Sequence, residues 1–463
     1  MKKTLSLLLS LVLMLSLALP ASAAETEYPT LEGGVTEIQK YGNIVLDIDP
    51  ADLKDGGYTY GDLLTVTVNG TGYDMPLCTN YSDVDTGALV LRDSEGVLIA
   101  AINMGDFATS NGLATKVTAE DGSYTWEFPE GQSLETITVS ISMKEAGGYY
   151  DQYLIHQLTR TNERADYASD AVFANFRNVA VGDLGENALF RSSSPVNNEL
   201  NRAAYADDLA EANSIQTVMN LADSNELIEG YIAAEGFDSP YYQSLYEAGK
   251  VKALNLGVDF TAADFKSGLA EGLRFFAENE GPYLVHCNEG KDRAGFVSAL
   301  LECLMGATYD EVVADYMTTY VNYYHLEEGS EQYEAVKNSN IVSILTNITG
   351  AAEGTDLTTV DLAAAAEDYM LDAGLTADEV TALKANLAKD YTVETEAPAE
   401  ETPEEPAPQA RTYTVEAGDC LWNIAYEVYG TGTRWTVIYE ANRDIIRDPG
   451  MIYIGQVLTI PAA

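Results

Sequence analysis

The chain has 463 residues, room for several domains at roughly 100–200 residues each. Asp and Glu number 73 against 25 Lys and Arg, a net charge of −48, which excludes nucleic acid and anionic lipid as partners because both need a cationic face. Hydrophobic residues at 46%, with 30 Tyr and 11 Phe, exclude a disordered acidic chain, and four irregularly spaced cysteines exclude a disulfide framework.

In chain order, residues 1–23 come first. They carry Lys2 and Lys3, an apolar run from Leu5 to Leu19 broken only by serines, and the small-residue site Ala21-Ser-Ala23. This is the pattern of a cleavable secretory signal, and the run falls short of the ~20 residues a membrane span needs. The expectation is an exported protein with no span. Residues 28–147 are expected to form an all-β module. The runs Ile44–Ile48, Leu63–Val68, Ala88–Arg92, Val97–Ile102 and Thr136–Ile141 are short, β-branched or apolar, and separated by Gly, Asn and Asp turns. That spacing predicts a small barrel or sandwich. Asp83 and Asp85 fit no standard Ca²⁺ loop.

Residues 168–390 change pattern. Strand-like runs (217–221, 283–285) alternate with helical ones (261–279, 295–305), which predicts an α/β domain. Cys303 falls in the buried-helix pattern Ser298–Met305 and is expected to fill the core. Thr376-x-x-Glu379 is a capping box before a stripe of Val380, Leu383 and Leu387. Residues 391–410 are rich in Pro and Glu and form an extended linker. Residues 411–463 alternate as β-α-α-β in a compact final module.

One segment carries chemistry. His286-Cys-Asn-Glu-Gly-Lys-Asp-Arg-Ala-Gly295 follows an apolar strand and opens an apolar helix. A loop at a helix N-terminus offers free N–H groups and the positive end of the helix dipole to an anion. Cys287 at its start is placed to act as a thiolate nucleophile. Arg293, six residues on, can fold back to grip two phosphate oxygens. Gly290 permits a tight turn and Gly295 close packing at the helix start. Together these parts describe covalent phosphoryl transfer.

The loop resembles that of the cysteine-dependent tyrosine and dual-specificity phosphatases, most of all the bacterial branch with a His-Cys-x-x-Gly-Lys-Asp-Arg loop. Asn175-Phe-Arg-Asn178 with Ala188-Leu-Phe-Arg-Ser-Ser-Ser-Pro195 is similar to that family's opening segment. The family's Asp-Leu-Arg reads Asn220-Leu-Ala222 here. Ala314-Asp-Tyr316 resembles its helix after the loop. The resemblance implies Cys287 as nucleophile, Arg293 as phosphate clamp, and His286 as the residue that orients the loop. It also implies a phosphate site formed by Asn288, Glu289, Gly290, Lys291, Ala294 and Gly295. A general acid must protonate the leaving oxygen. Asp259 has the placement usual in such enzymes, Asp292 lies inside the loop, and Asp264 follows close behind Asp259. Lys291 either contacts a second anionic group or offsets Glu289 and Asp292. The family's Ser or Thr after the arginine is Ala294, with Ser192, Ser193 and Ser194 as possible replacements.

The last module resembles a LysM domain over its whole length, in Tyr413-Thr-Val-Glu-Ala-Gly-Asp-Cys-Leu-Trp and Pro449-Gly-Met-Ile-Tyr-Ile-Gly-Gln-Val-Leu-Thr-Ile-Pro461. The resemblance implies binding of N-acetylglucosamine glycans such as peptidoglycan or a chitin-like polymer. The groove would comprise Gly418, Asp419, Cys420 and Leu421 facing Pro449, Gly450, Met451 and Ile452, with Trp422, Ile424 and Ile438 in the core. The β module, in Tyr41-Gly-Asn-Ile-Val-Leu-Asp-Ile48 and Ala101-Ile-Asn-Met-Gly-Asp-Phe-Ala108, is similar to the barrel half of S-adenosylmethionine hydrolases, without the half that carries their chemistry.

The expected protein is a secreted, wall-associated phosphatase that needs no metal or cofactor. Its substrates would be phosphotyrosine-type or polyphosphorylated small molecules. The alternative is an impaired phosphatase fold that binds phosphorylated ligands, which Ala294 and Ala222 favour. A peptidoglycan hydrolase has little support with three His in the chain. So acidic a chain must draw its substrate with a local basic pocket, for which Arg293, Lys291, Arg191 and Arg177 are the candidates.

Overall fold

Alternation of buried and exposed residues along short strands dictates the first part of the structure. The computed structural model describes residues 27–352, 354–392, 411–415, 435–443, 456–461 and single positions between 421 and 453. The expected signal at 1–23, residues 393–410 of the expected linker, Gly418, Asp419, Cys420, Trp422, Pro449, Gly450 and Met451 lie outside the described residues.

Seven strands close into a barrel: β1 (Leu31–Ile38), β2 (Ile44–Leu46), β3 (Leu63–Val68), β4 (Thr71–Cys78), β5 (Leu89–Ser94), β6 (Val97–Ile102) and, past a hairpin of β7 (Thr115–Thr118) and β8 (Tyr124–Glu127), β9 (Thr138–Glu145). Its order is β1-β2-β6-β5-β4-β3-β9, and β9 pairs back on β1. In β3, Leu64, Val66 and Val68 are buried while the residues between them face outward, the period of two that one-sided burial requires. Asn69 and Gly70, both at positive φ, make the two-residue turn from β3 to β4. Closure leaves the barrel without free edges.

A second sheet follows in the order β10 (Arg177–Asn178), β11 (Leu189–Ser192), β14 (Tyr283–His286), β12 (Thr217–Asn220) and β13 (Val251–Ala253). All its neighbours are parallel except β10 with β11. β11, β12 and β14 are buried at every position, as a sheet covered on both faces demands. Helices Ala263–Glu278 and Asp292–Leu304 contribute Phe265, Leu269, Leu273, Phe296 and Leu300 to its core. The capping box of Thr376 and Glu379 forms as expected and buries Val380, Leu383 and Leu387. Helix Tyr150–His156, after the barrel, packs on helix Glu331–Val336, where the Tyr150 hydroxyl donates to Glu331 at 3.1 Å. Gln157 also donates to Asp83 of the barrel at 3.0 Å.

In the C-terminal unit, β15 (Arg411–Thr414) pairs antiparallel with β16 (Val457–Ile460). Ile424, Ile438, Leu458 and Ile460 are fully buried, and helix Trp435–Glu440 is described between the strands. Asn442 ties the parts together: its amide donates to Ile438 O and Thr459 O, and its oxygen accepts from Thr459 N–H, each at 2.7 Å. Among the described residues no helix is long and apolar enough to cross a membrane.

Candidate active site

The central strand β14 ends at His286, and its chain turns through residues 287–291 into helix Asp292–Leu304. Two glycines make that turn possible. Gly290 has φ +69°, and a Cβ there would lie 2.4 Å from the carbonyl carbon and oxygen of Ser192. A Cβ on Gly295 would lie 2.6 Å from the Tyr316 ring. The loop is thus pressed onto the end of β11 and the helix start onto Tyr316.

Hydrogen bonds hold the loop from outside. Asn288 O accepts from Ser194 N–H at 3.1 Å. Glu289 O accepts from the Tyr323 hydroxyl at 3.0 Å, and Gly290 O from Arg191 at 2.8 Å and Asn175 at 3.0 Å. Lys291 O accepts from Arg191 at 3.2 Å. In a trans peptide the N–H points opposite to the C=O. The N–H groups of Glu289, Gly290, Lys291 and Asp292 therefore face away from these partners.

Arg191 is fully buried and is set in turn by Asp315, 2.8 Å from its Nη1, which also takes Arg177 Nε at 2.8 Å. Burial works to raise the Asp315 carboxyl, but Arg177 and Arg191 outweigh it and hold it well below the usual carboxylate range. The two arginines expected in the basic pocket therefore stand behind the loop, engaged by Asp315. Glu302, buried beside them, is pushed well above the carboxylate range by burial and by Asp315.

Inside the loop, Cys287 is a free thiol, 3% exposed. The other described cysteines, Cys78 and Cys303, are pushed up to about 12 by burial and are core residues. His286 is fully buried, and its ring lies edge-on to Tyr242 at 5.7 Å. Burial lowers its pKa to about 3, which keeps the ring neutral. Arg293 donates to Leu256 O at 2.9 Å. Lys291 pairs with Glu289 at 3.3 Å and Asp292 at 3.8 Å. Burial pulls its pKa down, but Asp292 and Glu289 overcome this and raise it. The offsetting role expected for Lys291 is thus the one the contacts display. Glu289 is also held by Arg160 at 2.5 Å.

The acids differ sharply. Burial raises the Asp292 carboxyl, against the pull of Lys291. Asp259 is instead lowered by its hydrogen bonds to Thr261, whose hydroxyl and N–H donate at 2.6 and 3.0 Å. Asp264 lies in the first turn of helix Ala263–Glu278 and accepts from Phe265 N–H. Asp259 and Asp292 line one cleft of about 540 Å³. Asp223 escaped the sequence reading. It is buried after β12, accepts from Asn220 at 3.0 Å, and burial raises its carboxyl against the hydrogen bonds from Asn220 and Tyr231 and the charge of Arg293. Its position at the C-terminal end of a parallel strand was the available signal, because sites in such sheets gather there.

Ala294 is fully buried. The Ser192 hydroxyl donates to Ser193 O, and Ser194 Oγ accepts from Val196 and Asn197 N–H. Ser193 Oγ is buried without a partner. Among the described residues no group of three or more His, Cys, Asp or Glu is placed to hold a metal. Asp83 accepts from Thr79 and Asn80 at a turn. Of the expected glycan residues, Leu421 is buried in the C-terminal core and Ile452 packs against it.

Residues 174–389 match the tyrosine phosphatase family, 33–119 the SAM hydroxide adenosyltransferase C-terminal domain, and 413–461 the LysM domain. The chain is 46% identical over 50 residues to Resuscitation-promoting factor Rpf of Micrococcus luteus, a match over 10% of this chain and 21% of that protein. It is 45% identical over 46 residues to Potassium binding protein Kbp of Escherichia coli O6:H1, over 10% of this chain and 31% of that protein. The chain therefore spans less than a third of either relative. An uncharacterized conserved protein of known structure from Thermotoga maritima aligns with 22% identity over 24% of this chain and 35% of that one, at a TM-score of 0.18. The protein thus joins a tyrosine phosphatase family domain, over residues 174–389, to a barrel of the SAM hydroxide adenosyltransferase C-terminal type and a LysM domain.

Proposed function

We propose that this is an exported, cell-wall-bound phosphatase that hydrolyses phosphate monoesters through a phosphocysteine. The observation that carries the reading is the loop itself: Cys287 is followed by N–H groups whose carbonyls are tied to Ser194, Tyr323, Asn175 and Arg191, and we read these N–H groups as a cup for the phosphate. Such a cup stabilises the charge on the equatorial oxygens in the transition state. Arg293 exchanges its bond to Leu256 O for two phosphate oxygens.

The Cys287 thiolate attacks phosphorus while the bond from phosphorus to the ester oxygen breaks. Asp292 is our choice of acid, because it lies inside the loop and lines the cleft beside it, and its carboxyl is shifted upward whereas that of Asp259 is shifted downward. It gives its proton to the departing alcohol. Water then attacks the phosphocysteine, its proton passes to the Asp292 carboxylate, and phosphate and the thiolate are released. The LysM domain supports retention on N-acetylglucosamine-containing glycans such as peptidoglycan.

The test is hydrolysis of p-nitrophenyl phosphate by the purified protein, alongside cosedimentation with insoluble peptidoglycan. A second reading, a wall-bound binder of phosphorylated ligands, is favoured by Ala294, which has no hydroxyl to help the thiol leave. It predicts phosphate binding and a phosphocysteine that does not turn over.

A further inference from the structure

The cleft beside Asp292 has a chemistry that the loop alone does not explain. One wall is apolar, built by Val258, Phe260 and Ile344. The polar wall is neutral, built by Ser339, Asn340, Ser343 and Asn347 on the helical stretch that also carries Ile344. These four lie on one helical stretch, Glu331–Thr349, interrupted by a π-helical turn at Lys337–Val342. Such wide turns occur often at functional sites.

One acceptor on the polar wall has no donor. Asn347 Oδ1 is buried without a hydrogen-bond partner. Asn340 uses its amide nitrogen on the Tyr320 hydroxyl at 2.7 Å, leaving its oxygen as a further acceptor. A buried acceptor left unpaired is unfavourable, and a turn of the Asn347 amide toward a ligand O–H group in the cleft relieves it. The charges in it are the two acids, Asp259 and Asp292, with no Lys or Arg in the lining. Lys291, the nearest loop cation, is already shared between Glu289 and Asp292.

We propose that the alcohol part of the substrate is a hydroxylated ring, a glycosyl or polyol group carrying a single phosphate. This rests on the phosphatase reading and on Asp292 as the acid, which sets the leaving oxygen at the mouth of the cleft. The ring lays its C–H face on Phe260 and Ile344 and directs hydroxyls to Asn340 and Asn347. A phosphotyrosine ring has no hydroxyl to offer once esterified. A second phosphate would meet the Asp259 carboxylate and no Lys or Arg in the lining. Neither class expected from the sequence therefore suits this cleft. A single phosphate on a glycan ring also suits a chain that carries a glycan-binding domain.

The experiment compares kcat/KM for N-acetylglucosamine 6-phosphate, phosphotyrosine, an inositol bisphosphate and p-nitrophenyl phosphate in the full chain. The sugar monophosphate should exceed phosphotyrosine and the bisphosphate by about tenfold or more, the worth of a hydrogen bond or two to buried acceptors. Asn347→Leu should cut the ratio of sugar phosphate to p-nitrophenyl phosphate by about tenfold. Ser343→Ala, on the rim, should lower it in the same direction. Preference for phosphotyrosine or the bisphosphate, or a ratio unmoved in both variants, overturns the proposal. No turnover of p-nitrophenyl phosphate by the wild type would overturn the phosphatase reading along with it, a distinct result because the aryl substrate does not need the polar wall.

Discussion

Gly290→Ala tests whether the loop is a rigid cup. Two effects act on the added methyl. The first is backbone: at φ +69° a non-glycine residue costs about 1–2 kcal/mol. The second is contact. The methyl would sit 2.4 Å from the Ser192 carbonyl, and that neighbour is backbone, so the loop must retreat. Ordinary van der Waals separation of ~3.4 Å or more implies a shift of roughly 1 Å, enough to lower catalysis about a hundredfold. Gly96 in the barrel separates the two effects: its φ is +85° and nothing lies within 4 Å of a Cβ there. Gly96→Ala should lose only the backbone amount, a fall in melting temperature of a few degrees, with kcat/KM unchanged. Gly290→Ala should lose at least as much stability together with about two orders of magnitude in kcat/KM. Scanning calorimetry and p-nitrophenyl phosphate kinetics on the same preparations read both. Wild-type kcat/KM in Gly290→Ala would refute the reasoning.

Asp292→Asn should lower kcat on an alkyl phosphate by roughly 10²–10⁴-fold and much less on p-nitrophenyl phosphate, whose leaving group needs little protonation; Asp259→Asn should not show this split. Because the His286 pKa lies at about 3 when folded, the unfolded chain takes up this proton first as pH falls. That contribution to stability is complete above about pH 6.5 and is lost toward pH 3, about 2 kcal/mol of it by pH 5. Urea unfolding of His286→Gln across this range should lack that component. Asp315→Asn leaves Arg177 and Arg191 buried without their carboxylate and should destabilise by about 3–5 kcal/mol in the same assay. Removal of residues 411–463 should abolish cosedimentation with peptidoglycan and leave p-nitrophenyl phosphate turnover intact.

The sequence was most informative where local chemistry and position coincide. The five expected barrel runs became β2, β3, β5, β6 and β9, because β-branched alternation and turn residues agree there. β1 and β4 escaped, since Gly33-Gly34 and the Gly72 and Pro76 of β4 argue against strands. Gly33 is needed because a Cβ would lie 2.4 Å from Asp47 O, at the end of the paired strand β2, a contact that only the folded pairing creates. The loop residues were legible as a set. Their supports were not, because Arg191 and Arg177 look like substrate ligands until Asp315, more than a hundred residues away, is seen to hold them. The choice between Asp259 and Asp292 was likewise hidden, since it depends on burial and on Thr261 rather than on spacing.

The central claim is that Cys287 is the nucleophile. Steady-state hydrolysis of p-nitrophenyl phosphate by the wild type and by Cys287→Ser tests it most directly. The account predicts turnover in the wild type and none above background in the variant at equal folded concentration. Undiminished turnover in Cys287→Ser would contradict it.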